Sequence, residues 1–230
     1  MAKHDLHRAD TLRTSPLRMS SPPDSWPPTD ALDFGSRPVP LFPLPGVFFF
    51  PGQILPLHIF EPRYRAMIDD SLDGPGRLVI ATVAEKDRAE LASRPPVFPI
   101  AGIGEIARHE KLADGRYFIW LCGLCRVRLE EVQSEHAYRR ARVSPLPEIV
   151  ATDHEDGLLR PGLIAAIEKC TGTQLPQAEE IPLGALSDVL AQCLCVPEAV
   201  MAAIHGEIDV AERARRALAA ADRFPARRRS

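Results

Sequence analysis

Positive charge is in short supply in this 230-residue chain: 28 Lys and Arg face 31 Asp and Glu, for a formal net charge of −3 and a pI near 6.2. No bulk field therefore exists to draw in nucleic acid or an anionic membrane. Lysine is rarer still, confined to Lys3, Lys86, Lys111 and Lys169. None follows a glycine, so the Gly-Lys-Ser/Thr cradle that holds nucleotide phosphates is absent and ATP hydrolysis by this chain is excluded. No apolar run approaches the ~18 residues a membrane span requires. The first thirty residues lack the apolar core of a signal peptide. Five cysteines are an odd number in a chain large enough to fold without staples, which argues against a disulfide framework and for the cytoplasm.

Proline is what the chain has in excess, with 23 residues, about twice ordinary usage. Many fall in residues 1–37, where Ser15, Pro16, Ser20, Ser21, Pro22, Pro23, Pro27 and Pro28 accompany isolated apolar residues of no fixed period. Such a segment cannot bury enough surface to offset its ordering entropy, so a disordered leader is expected, with Met19 offering a second start.

From residue 38 to 148 short apolar runs alternate with turn signals. Strands are expected at Val39–Leu44, Val47–Phe50, Ile54–Ile59, Arg77–Val83, Ile100–Arg108, Tyr117–Val132 and Ala137–Val143. This spacing predicts a small barrel or sandwich. Asp114-Gly115 provides the positive-φ residues of a tight hairpin between the two longest runs. One helix interrupts the strands: Pro62 suits its first position, Tyr64, Met67, Ile68 and Leu72 share a face, and Gly74 stops it. Arg65 and Asp69 are spaced to pair on its outer side.

After Pro147 the period turns helical, over Leu158–Cys170, Leu183–Cys195, Pro197–His205 and Val210–Arg223. Asp209 and Glu212 form a capping pair ahead of the last. Residues 149–224 are thus expected to form an antiparallel helical bundle, and 225–230, with Arg227-Arg228-Arg229, a solvated basic tail.

Several constellations invite chemistry. His58, Glu61, Arg63 and Arg65 are charged and close in sequence, but no nucleophile accompanies them. Structural roles are expected for His58, Glu61, Arg63 and Tyr64, with His58 a satisfied core histidine. Cys122-Gly123-Leu124-Cys125 has metal-ligand spacing, and Cys193 with Cys195 would complete four ligands. Within a strand, however, Cys122 and Cys125 face opposite ways, and no helix start follows the first, so neither metal nor redox site is expected. Val47-Phe48-Phe49-Phe50 is apolar on both faces of any strand. Core packing is the first reading; any phenylalanine left exposed would suit an apolar peptide, which makes Phe48, Phe49 and Phe50 the candidate binding residues.

Pro40-Leu41-Phe42-Pro43-Leu44-Pro45-Gly46, then Phe50-Pro51-Gly52, then Leu55-Pro56-Leu57-His58-Ile59-Phe60-Glu61-Pro62-Arg63-Tyr64-Arg65 resembles the opening of the Lon protease N-terminal domain family. Gly102-Ile103-Gly104-Glu105-Ile106-Ala107, the Asp114-to-Tyr117 hairpin and Gly123-Leu124-Cys125-Arg126-Val127 are similar to its later strands. The resemblance implies an α+β fold: a PUA-like β pseudo-barrel with an inserted helix, followed by a C-terminal helical bundle. It also implies a non-catalytic module, without cofactor, that binds unfolded polypeptide or a partner protein such as a separate ATP-dependent protease. Asp73-Gly74-Pro75 is similar to the family's protease motif but has Gly76 in the serine position. The alternative is an RNA-binding PUA-like protein, which the acidic balance disfavours.

Overall fold

The computed structural model describes residues 37–226. The expected leader before Arg37 and the basic run after Ala226 lie outside them. Within them, β1 (Val39–Pro45), β2 (Ile54–Ile59), α1 (Pro62–Leu72), β3 (Arg77–Val83), β4 (Ile100–Lys111), β5 (Tyr117–Val132) and β6 (Arg139–Pro145) precede α2 (Asp153–Thr171), α3 (Leu183–Cys193), α4 (Glu198–His205) and α5 (Val210–Ala221).

One six-stranded sheet runs β2-β5-β4-β3-β1-β6, and β6 pairs back onto β5. The length of β5 makes this closure possible. Its first half, Tyr117 to Cys122, pairs with β2, and its second half, Val127 to Val132, pairs with β6. A register shift opposite Ile103/Gly104 lies where β5 changes partner, a bulge of the kind that bends a strand at a barrel corner. Only β1 and β3 run parallel, with α1 in the connection that joins β2 to β3.

The hairpin turns at Asp114-Gly115, with Gly115 at φ +82 and its N–H donating to the Leu112 carbonyl, but Asp114 is not at positive φ and the loop spans Leu112 to Arg116 rather than two residues. Helix α1 starts on Pro62 and buries Tyr64, Met67 and Ile68. Arg65 does not pair with Asp69. Its Nη1 donates to the Asp114 carbonyl at 3.0 Å, while Asp69 accepts from Lys111 at 2.9 Å and from Tyr117, so α1 is tied to the hairpin rather than to itself. Asp69 is held below the usual carboxylate range by the Tyr117 hydroxyl and then by Lys111.

Helix α2 begins five residues before the periodic run, because Thr152 and Glu155 form a reciprocal capping box. Asp209 caps α5 by accepting from the Glu212 N–H at 2.9 Å. The helices share one apolar cluster, which includes Leu163, Leu186, Leu190, Ile204 and Ala217. Inside the sheet lie two more, one around Met67, Ile80 and Leu121 and the other around Leu41, Ile103 and Val127.

Candidate functional site

Val47–Phe50 is not a strand; it crosses the sheet as irregular chain. Its path depends on two glycines. A Cβ on Gly102 would lie 2.1 Å from the Phe49 carbonyl oxygen, and one on Gly123 would lie 2.1 Å from that of Phe50. Only glycine lets the backbone come so close. The crossing chain then distributes its rings between layers: Phe49 enters the sheet core, while Phe48 and Phe50 enter the helical cluster. All three are buried, at 8%, 0% and 1% exposure. As candidate binding residues they therefore offer no face to a partner in this structure, because they join the two layers. A cleft of about 370 Å³ elsewhere in the bundle and one of about 320 Å³ at the joint accompany this packing, and only the second touches Phe48 and Phe50.

Charge reinforces the same joint. Arg126 in β5, at 1% exposure, donates to Asp188 of α3 at 2.6 Å, to Glu148 at 3.0 Å and to the His205 carbonyl at 2.7 Å. Arg213 of α5 reaches Glu148 at 2.5 Å and lies 3.1 Å from Asp188. Two guanidiniums and two carboxylates balance within a buried cluster. The His205 ring contacts this cluster from α4, and its Nε2 bonds the Phe49 carbonyl at 2.9 Å. Since the carbonyl can only accept, Nε2 carries the proton. Burial, aided by Arg126, holds the His205 pKa down at about 4.

Of the residues expected to be structural, Tyr64 is buried with its ring 4.4 Å from that of Phe42. Glu61 occupies the N-cap of α1 and its carboxylate binds Arg63 at 2.9 Å instead of the helix amides. His58 departs from expectation. It is exposed, stacked on Phe118 at 4.6 Å with 20° between the planes. The cause is the two-residue period of β2, which turns Leu55, Leu57 and Ile59 inward and Ile54, Pro56 and His58 out.

That outward side is the candidate functional site. Cross-strand register aligns His58 with Phe118 and then Glu110, Pro56 with Trp120 and then Arg108, and Ile54 with Cys122 and then Glu105. Ile54 is 53% exposed, Phe118 39% and Phe60, just beyond the strand, 59%. Arg108 lies over the Trp120 ring at 4.9 Å. Three strands span about 10 Å and six residues of β2 about 20 Å, so the face matches a five- or six-residue extended segment. Among the described residues β2 pairs only with β5. Pro56 has no N–H to give, which blunts the open edge and leaves the side-chain face as the feature on offer.

The cysteines do not assemble. None of the five is in a disulfide, and Cys125 is buried with its thiol pushed up to about 12 by burial. Burial also raises Cys122, before the nearby Glu105 carboxylate. Among the described residues no group of three or more His, Cys, Asp or Glu is placed to hold a metal ion.

A barrel closed through one long strand, carrying an inserted helix and docked on a helical bundle, defines an α+β domain of the PUA-like type. Two solved structures have this architecture: the N-terminal domain of a Mycobacterium avium complex Lon protease, with a TM-score of 0.63 at 21% identity over 81% of this chain and 99% of that one, and a Lon N-terminal domain protein from Xanthomonas campestris, at 0.59 and 21% over 80% and 98%. The family model described as the ATP-dependent protease La (LON) substrate-binding domain matches residues 38–222, and the chain belongs to that family. Among curated relatives, Lon protease 2 of Sorangium cellulosum is 29% identical over 154 residues, which is 66% of this chain and 19% of the relative. Lon protease 2 of Syntrophobacter fumaroxidans is 31% identical over 116 residues, 50% of this chain and 14% of the relative. The chain thus spans less than a fifth of the length of those proteases.

Proposed function

We propose that this protein is a non-catalytic recognition module that captures extended, apolar segments of unfolded polypeptide on the outer face of β2 and β5. A substrate-recognition role comes with the family. The observation that carries the finer reading is the coincidence of Ile54, Phe60 and Phe118, each more than a third exposed, on one face. An apolar patch rimmed by Arg108, Glu105 and Glu110 suits a polypeptide whose side chains are apolar and whose flanks are polar. The same rim, with one cation and two carboxylates, disfavours the phosphate backbone of RNA. Five cysteines without a disulfide suit a reducing compartment, the cytoplasm in this reading. Captured chains would pass to a separate ATP-dependent protease.

Binding of a fluorescently labelled apolar peptide, and of a reduced and alkylated unfolded protein, tests this directly. Each of the three side chains is about half exposed, so capture would bury roughly 1 kcal/mol apiece. The triple variant Ile54→Ser/Phe60→Ser/Phe118→Ser is expected to bind about 100-fold more weakly with its melting temperature held. Equal affinity in the variant, or preference for a labelled RNA over both polypeptides, refutes the assignment.

A further inference from the structure

A second site lies on the barrel away from that face, in a cleft of about 350 Å³ lined by the end of α1, the start of β3 and the approach to β6. Its charged lining is Arg37, Arg77, Arg140 and one carboxylate, Asp70, and Arg77 Nε also pairs with Glu105 at 3.2 Å just outside the lining. Asp70 is already engaged: it accepts from the Tyr138 hydroxyl at 2.7 Å and lies 3.9 Å from His136 Nδ1. The His136 and Tyr138 rings stack 5.0 Å apart and only 10° from parallel, forming a flat wall beside the cations. Arg140 is only partly satisfied. Its Nη1 lies 3.1 Å from His136 Nε2 and its Nη2 donates to the Pro38 carbonyl, but its Nε, shielded from solvent, meets no acceptor. A buried donor without an acceptor is costly, more so on a charged group.

We propose that this cleft is an oxyanion-binding site, taking a phosphate or a carboxylate group between the Arg37, Arg77 and Arg140 guanidiniums. Guanidinium forks match the paired oxygens of both groups. Three cations against the Asp70 and Glu105 carboxylates leave an excess of one positive charge in a chain whose overall balance is negative. A single acidic chain therefore concentrates positive potential at one concave point. The lining shares no residue with the β2–β5 face, which it meets only through the Arg77–Glu105 pair, and the site does not depend on the polypeptide reading.

Amide chemical shifts of the full chain, titrated with sodium phosphate and separately with sodium acetate at ionic strength matched by chloride, test the proposal. The expected result is saturable shifts at Arg37, Gly74 to Arg77 and His136 to Arg140 in at least one titration, at least tenfold weaker in Arg37→Gln. Arg37 sits ahead of β1 and outside its pairings, so the variant should keep its fold, which its melting curve checks. Saturation with phosphate alone assigns the ligand to phosphorylated molecules. Saturation with acetate as well assigns it to carboxylates too, a peptide C-terminus among them. Shifts that grow linearly without saturation, that scatter over other surface arginines, or that persist unchanged in folded Arg37→Gln overturn the site.

Discussion

Acid should loosen this protein through His205. In the folded chain His205 is 1% exposed, its ring faces Arg126, Arg213 and Asp188, and its pKa is depressed from 6.5 to about 4. Unfolded, the same imidazole takes up a proton near its ordinary value. The unfolded state therefore binds more protons between those values, and the contribution is fully present above about pH 6.5 and lost as pH falls towards 4. The whole interval is worth about 3 kcal/mol, of which about 2 kcal/mol is gone by about pH 5. Urea unfolding at about pH 7 and about pH 5 measures the loss, and His205→Gln, which keeps an N–H for the Phe49 carbonyl but cannot titrate, isolates it. Wild type is expected to lose about 2 kcal/mol more than the variant over that interval. Equal losses in the two proteins would refute the assignment of the acid sensitivity to this ring.

Three further outcomes follow from the packing. Gly123→Ala places a methyl 2.1 Å from the Phe50 carbonyl oxygen and should cost about 3 kcal/mol; a melting curve within a degree of wild type would mean the crossing chain can lift off the sheet. Arg126→Met removes the partner of buried Asp188 and Glu148 and should cost about 3–5 kcal/mol in urea. A cost below about 1 kcal/mol would show that Arg213 alone satisfies both acids. Tyr64→Ala empties the site against Phe42 and should lower stability by about 3 kcal/mol before any binding changes; unchanged melting with abolished peptide capture would move Tyr64 from the core to the binding face.

Local periodicity made most elements legible. The 3.6-residue pattern marked α1, α3, α4 and α5, and the Asp114-Gly115 turn fixed the longest hairpin, because in each case the cause and the structure lie within a dozen residues. Long-range pairings were not legible. Nothing local says that the first half of β5 will meet β2 and the second half β6, nor that Arg126 and Arg213, 87 positions apart by number (213 − 126), will share Asp188 and Glu148. The start of α2 was missed because Thr152 and Glu155 cap a helix whose first turns carry little apolar pattern.

The candidate site shows most clearly where pattern reasoning succeeds and where it needs the fold. A segment apolar on both faces must either be enclosed on both sides or leave one side open. That argument, applied to Val47–Phe50, puts core packing first and an exposed phenylalanine second; packing is what occurs, because Gly102 and Gly123 admit the chain between two layers and both sides close over it. The same argument applies a few residues later to Ile54–Phe60, where Leu55, Leu57 and Ile59 alternate with Ile54, Pro56, His58 and Phe60. There β2 sits at the end of the sheet order, and among the described residues no layer covers it, so the outer residues stay exposed. What separates the two segments is therefore not their own hydrophobicity but whether distant glycines have made room beneath them. The motif by which the family is recognised accordingly encodes two things at once: in Phe48 to Phe50 the joint between barrel and bundle, and in the alternate residues of β2 the exposed face on which capture is proposed.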